Sequence, residues 1–119
     1  MNTKSIGDWG EDWAAKHLQG HGYRIVALRY RTRHGEIDII AADLEYIIFI
    51  EVKTRRDNRF SEAREAVSPR KIEKIKQTAA LWLAENETEL QPRFDVIELY
   101  APLGEQTANP TIRHWEDAF

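Results

Sequence analysis

Asp38, Glu51 and Lys53 stand inside two of the most hydrophobic runs of the chain, Gly35-Glu36-Ile37-Asp38-Ile39-Ile40 and Tyr46-Ile47-Ile48-Phe49-Ile50-Glu51-Val52-Lys53. Carboxylates in apolar surroundings lose hydration and repel one another. A divalent cation relieves both costs. Mg²⁺ prefers hard oxygen ligands and commonly takes one or two carboxylates, keeping other positions for water and phosphate. A lysine beside such an ion can neutralise charge developing on a phosphate or position the attacking water. The set therefore suits metal-assisted phosphodiester hydrolysis. The plainer alternative is an ion pair in which Lys53 bridges Asp38 or Glu51 across two strands. The basic Thr54-Arg55-Arg56 that follows Lys53 shifts the balance toward the metal site.

Two strands must bring these residues together. In an extended chain Glu36, Asp38 and Ile40 fall on one face and Ile37, Ile39 and Ala41 on the other. On the next run Ile47, Phe49, Glu51 and Lys53 share a face. If 36–42 and 46–54 pair as antiparallel neighbours, the start of the first meets the end of the second. Asp38, and with it Glu36, then lies beside Glu51 and Lys53.

The rest of the chain reads around this pair. Ser5 suits a helix N-cap, with Asp8 in the first turn. Ile6, Trp9, Trp13, Ala14, His17 and Leu18 fall within one helical arc, and Gly20 and Gly22 end it, giving a helix over about 5–19. Tyr23 to Tyr30 is a strand, so three strands with short connections form an antiparallel meander. Arg55 to Ser68 is polar without strong periodicity and is expected to be a mobile loop. Ser68-Pro69 opens a second helix to about Asn86, with Ile72, Ile75, Ala79, Leu81, Trp82 and Leu83 on its apolar face. Arg93 to Tyr100 is a fourth strand and Thr111 to Trp115 a short last one. The helical crossover makes the third and fourth strands parallel. The expected fold is α/β, with order α-β-β-β-α-β and a mixed sheet flanked by helices.

At 119 residues the chain is one domain, 1–119. Its 42% hydrophobic and 31% charged residues are those of a globular protein. Neither a membrane-length apolar run nor a signal-like start is present. With no cysteine, thiolate sites and disulfides are excluded, and a cytoplasmic location is expected. The net charge of −3 argues mildly against nucleic acid, but the charge is unevenly spread. Basic residues outnumber acidic ones nine to five between Glu51 and Lys76, whereas the acids concentrate after Glu85. Arg29, Arg31 and Arg33 share one strand face. Arg55, Arg56, Arg59, Arg70, Lys71 and Lys74 surround the 55–74 segment. Such residues supply phosphate contacts, and Arg31, Arg33, Arg55, Arg56 and Lys71 are the nucleic-acid-binding candidates. The four histidines lack ligand spacing, and the tryptophans read as core or interface.

Asp38 followed by Glu51-Val52-Lys53 resembles the PD-(D/E)xK nuclease signature, with Ile37 where a proline commonly precedes the aspartate. More closely, the chain resembles the YraN family of small bacterial proteins, likened to Holliday-junction resolvases. The matching pieces are Gly7-x-x-Gly10-Glu11-x-x-Ala14, Gly22-Tyr23, Gly35 to Ile40, Phe49 to Arg55, Ala66-Val67, Lys71 and Arg93-Phe94-Asp95-Val96, in order along nearly the whole chain. The resemblance implies a restriction-endonuclease-like fold, Mg²⁺ or Mn²⁺ dependence and a nucleic-acid substrate. It implies Asp38 and Glu51 as metal ligands and Lys53 as the catalytic lysine. It adds Glu11 as a first-helix ligand, although a helix projection leaves Glu11 at the margin of the apolar arc. Gln77 occupies a helix position where some relatives carry a polar site residue.

The leading expectation is a divalent-metal-dependent endonuclease acting on branched or single-stranded DNA, because no helix-turn-helix or zinc module is present to read a duplex sequence. The alternative is a non-catalytic nucleic-acid-binding module of the same fold. A third reading is an interaction protein whose acidic cluster is only a salt-bridge network. The expected partner is nucleic acid, DNA before RNA, with no membrane; a homodimer is an open option.

Overall fold

The structure is a computed structural model and describes residues 5–56 and 67–119. Helix α1 (Ile6–Gly20) precedes strands β1 (Arg24–Thr32), β2 (Gly35–Ala42) and β3 (Tyr46–Arg55). Helix α2 (Pro69–Glu85), strand β4 (Gln91–Tyr100), a 3-10 turn (Gly104–Gln106) and strand β5 (Thr111–Trp115) follow. This is the expected order, with boundaries moved by one or two residues. The expected loop over 55–68 falls mostly on 57–66, which lie outside the described residues, as do Arg59 and Ala66. None of the described helices is long and apolar enough to cross a membrane.

The helix starts form as their residue types dictate. The Ser5 hydroxyl accepts from Asp8 N at 3.1 Å, and the Ser68 hydroxyl from Lys71 N at 3.2 Å, with Pro69 opening α2. Each cap satisfies an amide that has no partner within the helix. After α1 the chain turns at Gly22, whose φ of +89° is a conformation that glycine adopts at little cost.

The five strands form one sheet in the order β1-β2-β3-β4-β5. The pairs β1–β2, β2–β3 and β4–β5 are antiparallel, and β3–β4 is parallel across the α2 crossover. The helices cover opposite faces. Ala14 and Leu18 of α1 pack with Ile39, Ala41, Ile48, Ile50, Ile97 and Leu99. Ile75, Ala79 and Trp82 of α2 pack with Ile37, Ile40, Ala42, Ile47, Phe49 and Val96.

The side-chain alternation of β2 differs from a regular strand at the position that matters most. Ile39 and Ala41 face α1, as Ile40 and Ala42 face α2, yet Ile37 packs on the α2 side with Ile40. The period of two therefore breaks between Ile37 and Ile39, at Asp38. Strand β1 breaks at the same level: Ala27 and Tyr30, three residues apart, both pack on the α2 side. Between them Arg29 has a φ of +52°. Leu28 pairs with Ile39 and Tyr30 with Ile37, so Arg29 stands across from Asp38. The expected common faces, Glu36-Asp38-Ile40 on β2 and Arg29-Arg31-Arg33 on β1, are both interrupted here. A left-handed residue in one strand skews the ladder it shares with its neighbour.

Two buried carboxylates fasten the C-terminal strands. Asp95 accepts from Arg93 Nε (2.9 Å) and Nη2 (2.8 Å), His114 Nε2 (2.7 Å) and Asp117 N (3.0 Å). Burial pushes the Asp95 carboxyl up, but the His114, Arg93 and Asp117 hydrogen bonds outweigh it and hold it below its ordinary value. Glu98, fully buried, accepts from Trp115 Nε1 at 3.0 Å and Arg55 Nε at 2.9 Å.

Candidate metal centre

Strands β2 and β3 pair from Ala42↔Ile47 to Ile39↔Ile50. The next step would set Asp38 opposite Glu51. There Asp38 takes over the role of the ladder with its side chain, Oδ2 accepting from Val52 N at 2.8 Å. Asp38 is thus held at the fork where the strands part. Burial, then the charge of Glu51, then that of Glu11 push its carboxyl up to about 7; the Val52 amide and Lys71 oppose them.

Glu51 continues the alternation of Ile47 and Phe49, which face α2, and it is buried. In the first turn of α2, Lys71 places Nζ 2.9 Å from Glu51 Oε1. Lys53 Nζ lies 3.8 Å from the same oxygen. Burial alone would lower the Lys71 pKa, but its contact with Glu51 and the charges of Asp38 and Glu36 raise it. Both lysines border the site, and each keeps a substantial part of its side chain in solvent.

Helix α1 reaches the fork because residue 10 is glycine. A Cβ on Gly10 would collide with Thr54 Oγ1, so glycine lets the helix lie this close to β3 without displacing that side chain. The next residue, Glu11, is thereby buried beside the strands. Burial pushes its carboxyl up to about 7; Arg29 opposes this, and Asp8, Glu36 and Asp12 add to it. Arg29 Nη1 stands 3.8 Å from Glu11 Oε2 and 3.8 Å from Asp8 Oδ1, outside hydrogen-bond distance of either. Among the described residues Glu11 Oε1 has no hydrogen-bond partner, and neither has Arg29 Nη1. One carboxylate oxygen from each of Glu11, Glu36 and Asp38 lies within 4.8 Å of the others.

These residues fit a divalent cation. Every donor is a carboxylate oxygen, the hard ligand that Mg²⁺ and Mn²⁺ take. A buried carboxylate oxygen without a donor costs free energy that a cation removes, and Glu11 Oε1 is such an oxygen.

The sequence-expected site residues Glu11, Asp38, Glu51 and Lys53 thus converge at the fork. The phosphate-contact candidates divide. Arg33 in the β1–β2 turn and Arg56 after β3 are exposed. Arg31 is largely exposed, with Nε 3.4 Å from Glu36 Oε1. Lys71 is engaged with Glu51, and Arg55 with buried Glu98. Gln77 is exposed on α2. Sequence reasoning missed the pairing of Lys71 with Glu51 and of Arg29 with Glu11. It also left open that Glu36 joins Glu11 and Asp38. A signal for Lys71 did exist: a lysine in the first turn of a helix opposes the helix dipole, and α2 has no acidic residue there to offset it.

Residues 10–99 match the model of a family described as "Uncharacterised protein family UPF0102". A UPF0102 protein of Syntrophomonas wolfei is 38% identical over 116 residues, covering 92% of this chain and 96% of that one. Another, of Trichlorobacter lovleyi, is 42% identical over 119 residues, covering 98% and 91%. A third, of Nocardia farcinica, is 40% identical over 119 residues, covering 99% and 91%.

Proposed function

The chain belongs to the UPF0102 (YraN) family, and from that premise we propose that it is a divalent-metal-dependent endonuclease that hydrolyses phosphodiester bonds in nucleic acid, with DNA as the expected substrate. One observation carries this reading. Asp38 and Glu51 are brought together at the fork of β2 and β3, where burial and the charge of Glu51 hold Asp38 far above an ordinary aspartate. Nothing in packing alone calls for two carboxylates there, whereas cation binding does.

In this reading Asp38 and Glu51 hold the ion, and Glu11 stands at hand on α1. When bound, a divalent cation supplies Lewis acidity at the phosphate and lowers the pKa of a water at the site. Lys53, a third exposed, reaches outward from Glu51 to a phosphate oxygen and stabilises the charge that grows on it. Lys71 adds a second positive charge from the α2 side. Exposed Arg31, Arg33 and Arg56 make backbone contacts that are independent of sequence. The net negative charge of the whole chain weakens long-range attraction to duplex DNA, in keeping with a branched or single-stranded substrate met at short range.

One rival has an observation in its favour. The 2.9 Å contact of Lys71 with Glu51 already neutralises that carboxylate, as a plain salt-bridge network would. The deciding assay incubates the purified protein with branched, single-stranded and duplex DNA in Mn²⁺, beside Glu51→Ala and Lys53→Ala. The endonuclease reading requires cleavage of at least one substrate by the parent protein and none by the folded variants. Cleavage retained by Glu51→Ala rules out this site. Binding without cleavage leaves the non-catalytic module.

A further inference from the structure

Three of the four histidines meet where the end of α1 approaches β5. The ring centres of His17 and His21 are 4.3 Å apart, and those of His17 and His114 are 5.9 Å apart. Sequence reasoning found no ligand spacing among the histidines because its expected helix stopped short of His21. The structure carries α1 to Gly20 with His21 as its C-cap, so His17 and His21 stand one turn apart on the same side of the helix. Two of the rings are already oriented through one nitrogen. His21 Nδ1 donates to the His17 carbonyl at 2.8 Å, because a carbonyl only accepts, and this leaves Nε2 free. His114 Nε2 donates to Oδ2 of buried Asp95 at 2.7 Å, leaving Nδ1. Metal-binding histidines are held in this manner, with one ring nitrogen on a carbonyl or carboxylate and the other on the ion. Burial, then the neighbouring His21 and His114, lower the His17 pKa, which favours the neutral ring that a metal requires.

We propose that His17, His21 and His114 bind a borderline transition-metal cation, Zn²⁺ foremost, at a site separate from the carboxylates of the fork. The proposal is independent of the endonuclease reading. The donor chemistry keeps the two sites apart: imidazole nitrogen suits Zn²⁺, Ni²⁺ and Cu²⁺, whereas carboxylate oxygen suits Mg²⁺ and Mn²⁺. With Zn–N distances of ~2.0 to 2.1 Å, two imidazoles on one tetrahedral ion have ring centres about 5 Å apart. The observed 4.3 and 5.9 Å straddle that value. His114 is held by Asp95 and its side chain is only 13% exposed. His21 is exposed at the helix end and is the ring with room to turn onto the ion. Three nitrogen ligands leave the fourth position to water. A bound ion ties the C-terminal end of α1 to β5, an edge strand of the sheet. Through His114 and Asp95 the tie extends to Arg93 and the Asp117 amide.

The test is Zn²⁺ binding to the whole chain, with no other ligand, measured by competition with a chromophoric zinc indicator with and without a large excess of Mg²⁺. The parent protein should bind one Zn²⁺ at this site in either condition. The histidine ring signals in NMR spectra should respond in step: those of His17, His21 and His114 shift with the first equivalent, while His34, exposed in the β1–β2 turn, stays unchanged. His21 is exposed, so His21→Gln leaves the core intact; it should weaken Zn²⁺ binding by roughly tenfold or more, as should His114→Gln. Zn²⁺ bound to His21→Gln with the parent's affinity overturns the proposal. Zn²⁺ that excess Mg²⁺ displaces lies at the fork carboxylates, which also overturns it. So does a parent protein that binds no Zn²⁺, or one whose three ring signals do not move.

Discussion

Lys71 Nζ lies 2.9 Å from Glu51 Oε1, nearer than Lys53, whose Nζ is 3.8 Å from the same oxygen. The lysine two residues along the strand is therefore not the principal counter-charge of Glu51; a residue twenty positions away, on another element, is. A monovalent ammonium on a carboxylate that is offered to a divalent ion makes the two cations competitors. Lys71→Met should lower the stability of the metal-free protein by about 0.5 to 1 kcal/mol, because the lysine is half in solvent and its ion pair is partly screened. The same substitution should increase the rise in melting temperature produced by Mn²⁺. Lys53→Met should do less of both. Chemical denaturation in chelator, followed by melts with added Mn²⁺, measures the two effects; equal behaviour of the two variants would show that the shorter contact has no special weight.

The metal-free protein should lose stability as pH rises from acid to neutral. A carboxyl whose folded pKa lies above its unfolded value binds its proton more tightly when folded. Its stabilising contribution is complete below the unfolded value and lost on approach to the folded one. For Glu11 that interval runs from 4.5 to about 7, and for Asp38 from 3.8 to about 7. Glu11 alone accounts for roughly 3 kcal/mol across its interval if the shift is fully realised. Asp95 has the opposite sign, since its carboxyl is held low: its contribution is present above 3.8 and fades as pH falls further. Urea midpoints in chelator should therefore decline from about pH 4.5 to about pH 7, and Glu11→Gln should flatten the decline. A variant with the parent's slope would show that Glu11 is not strained in the folded protein.

The basic residues should separate into two classes. Arg55 holds buried Glu98 at 2.9 Å, so Arg55→Ala leaves a buried charge with less compensation and should cost about 3 kcal/mol. Arg33 and Arg56 are exposed. Replacing both with alanine should leave the melting temperature nearly unchanged and flatten the plot of log affinity against log salt for single-stranded DNA, by ~0.7 for each phosphate that is no longer neutralised. An unflattened slope would move the nucleic-acid surface elsewhere.

These cases mark what could be read from the chain and what could not. The apolar runs of β2 and β3 and the helical arcs of α1 and α2 announce themselves by periodicity. The α2 crossover fixes β3 and β4 as parallel. The pairing of Asp38 with Glu51 follows once β2 and β3 are taken as antiparallel neighbours. The partners of Lys71, Arg55 and Glu36 depend on longer-range facts. Arg55 meets Glu98 through the register of a parallel pair, in which Lys53 is aligned with Glu98, and no local pattern encodes that register. Glu36 joins Glu11 because the alternation of β2 breaks at Asp38, where Arg29 adopts a left-handed conformation in the neighbouring strand; nothing in the local sequence of β1 marks that turn. Gly10 looks like a weak point in a helix until Thr54 is seen against it.

The central claim, a divalent cation held by Asp38 and Glu51, is tested most directly by melting without any substrate. An ion that binds the folded chain and not the unfolded one at ~10 times its dissociation constant adds roughly 1.4 kcal/mol, a shift of several degrees for a domain of this size. At matched ionic strength the parent protein should melt that much higher in Mn²⁺ than in chelator. Asp38→Asn should melt no lower than the parent in chelator, because a repelling charge is gone, and should respond little to Mn²⁺. A parent protein indifferent to Mn²⁺, together with an Asp38→Asn variant destabilised in chelator, would contradict the metal centre and make the cluster a salt-bridge network.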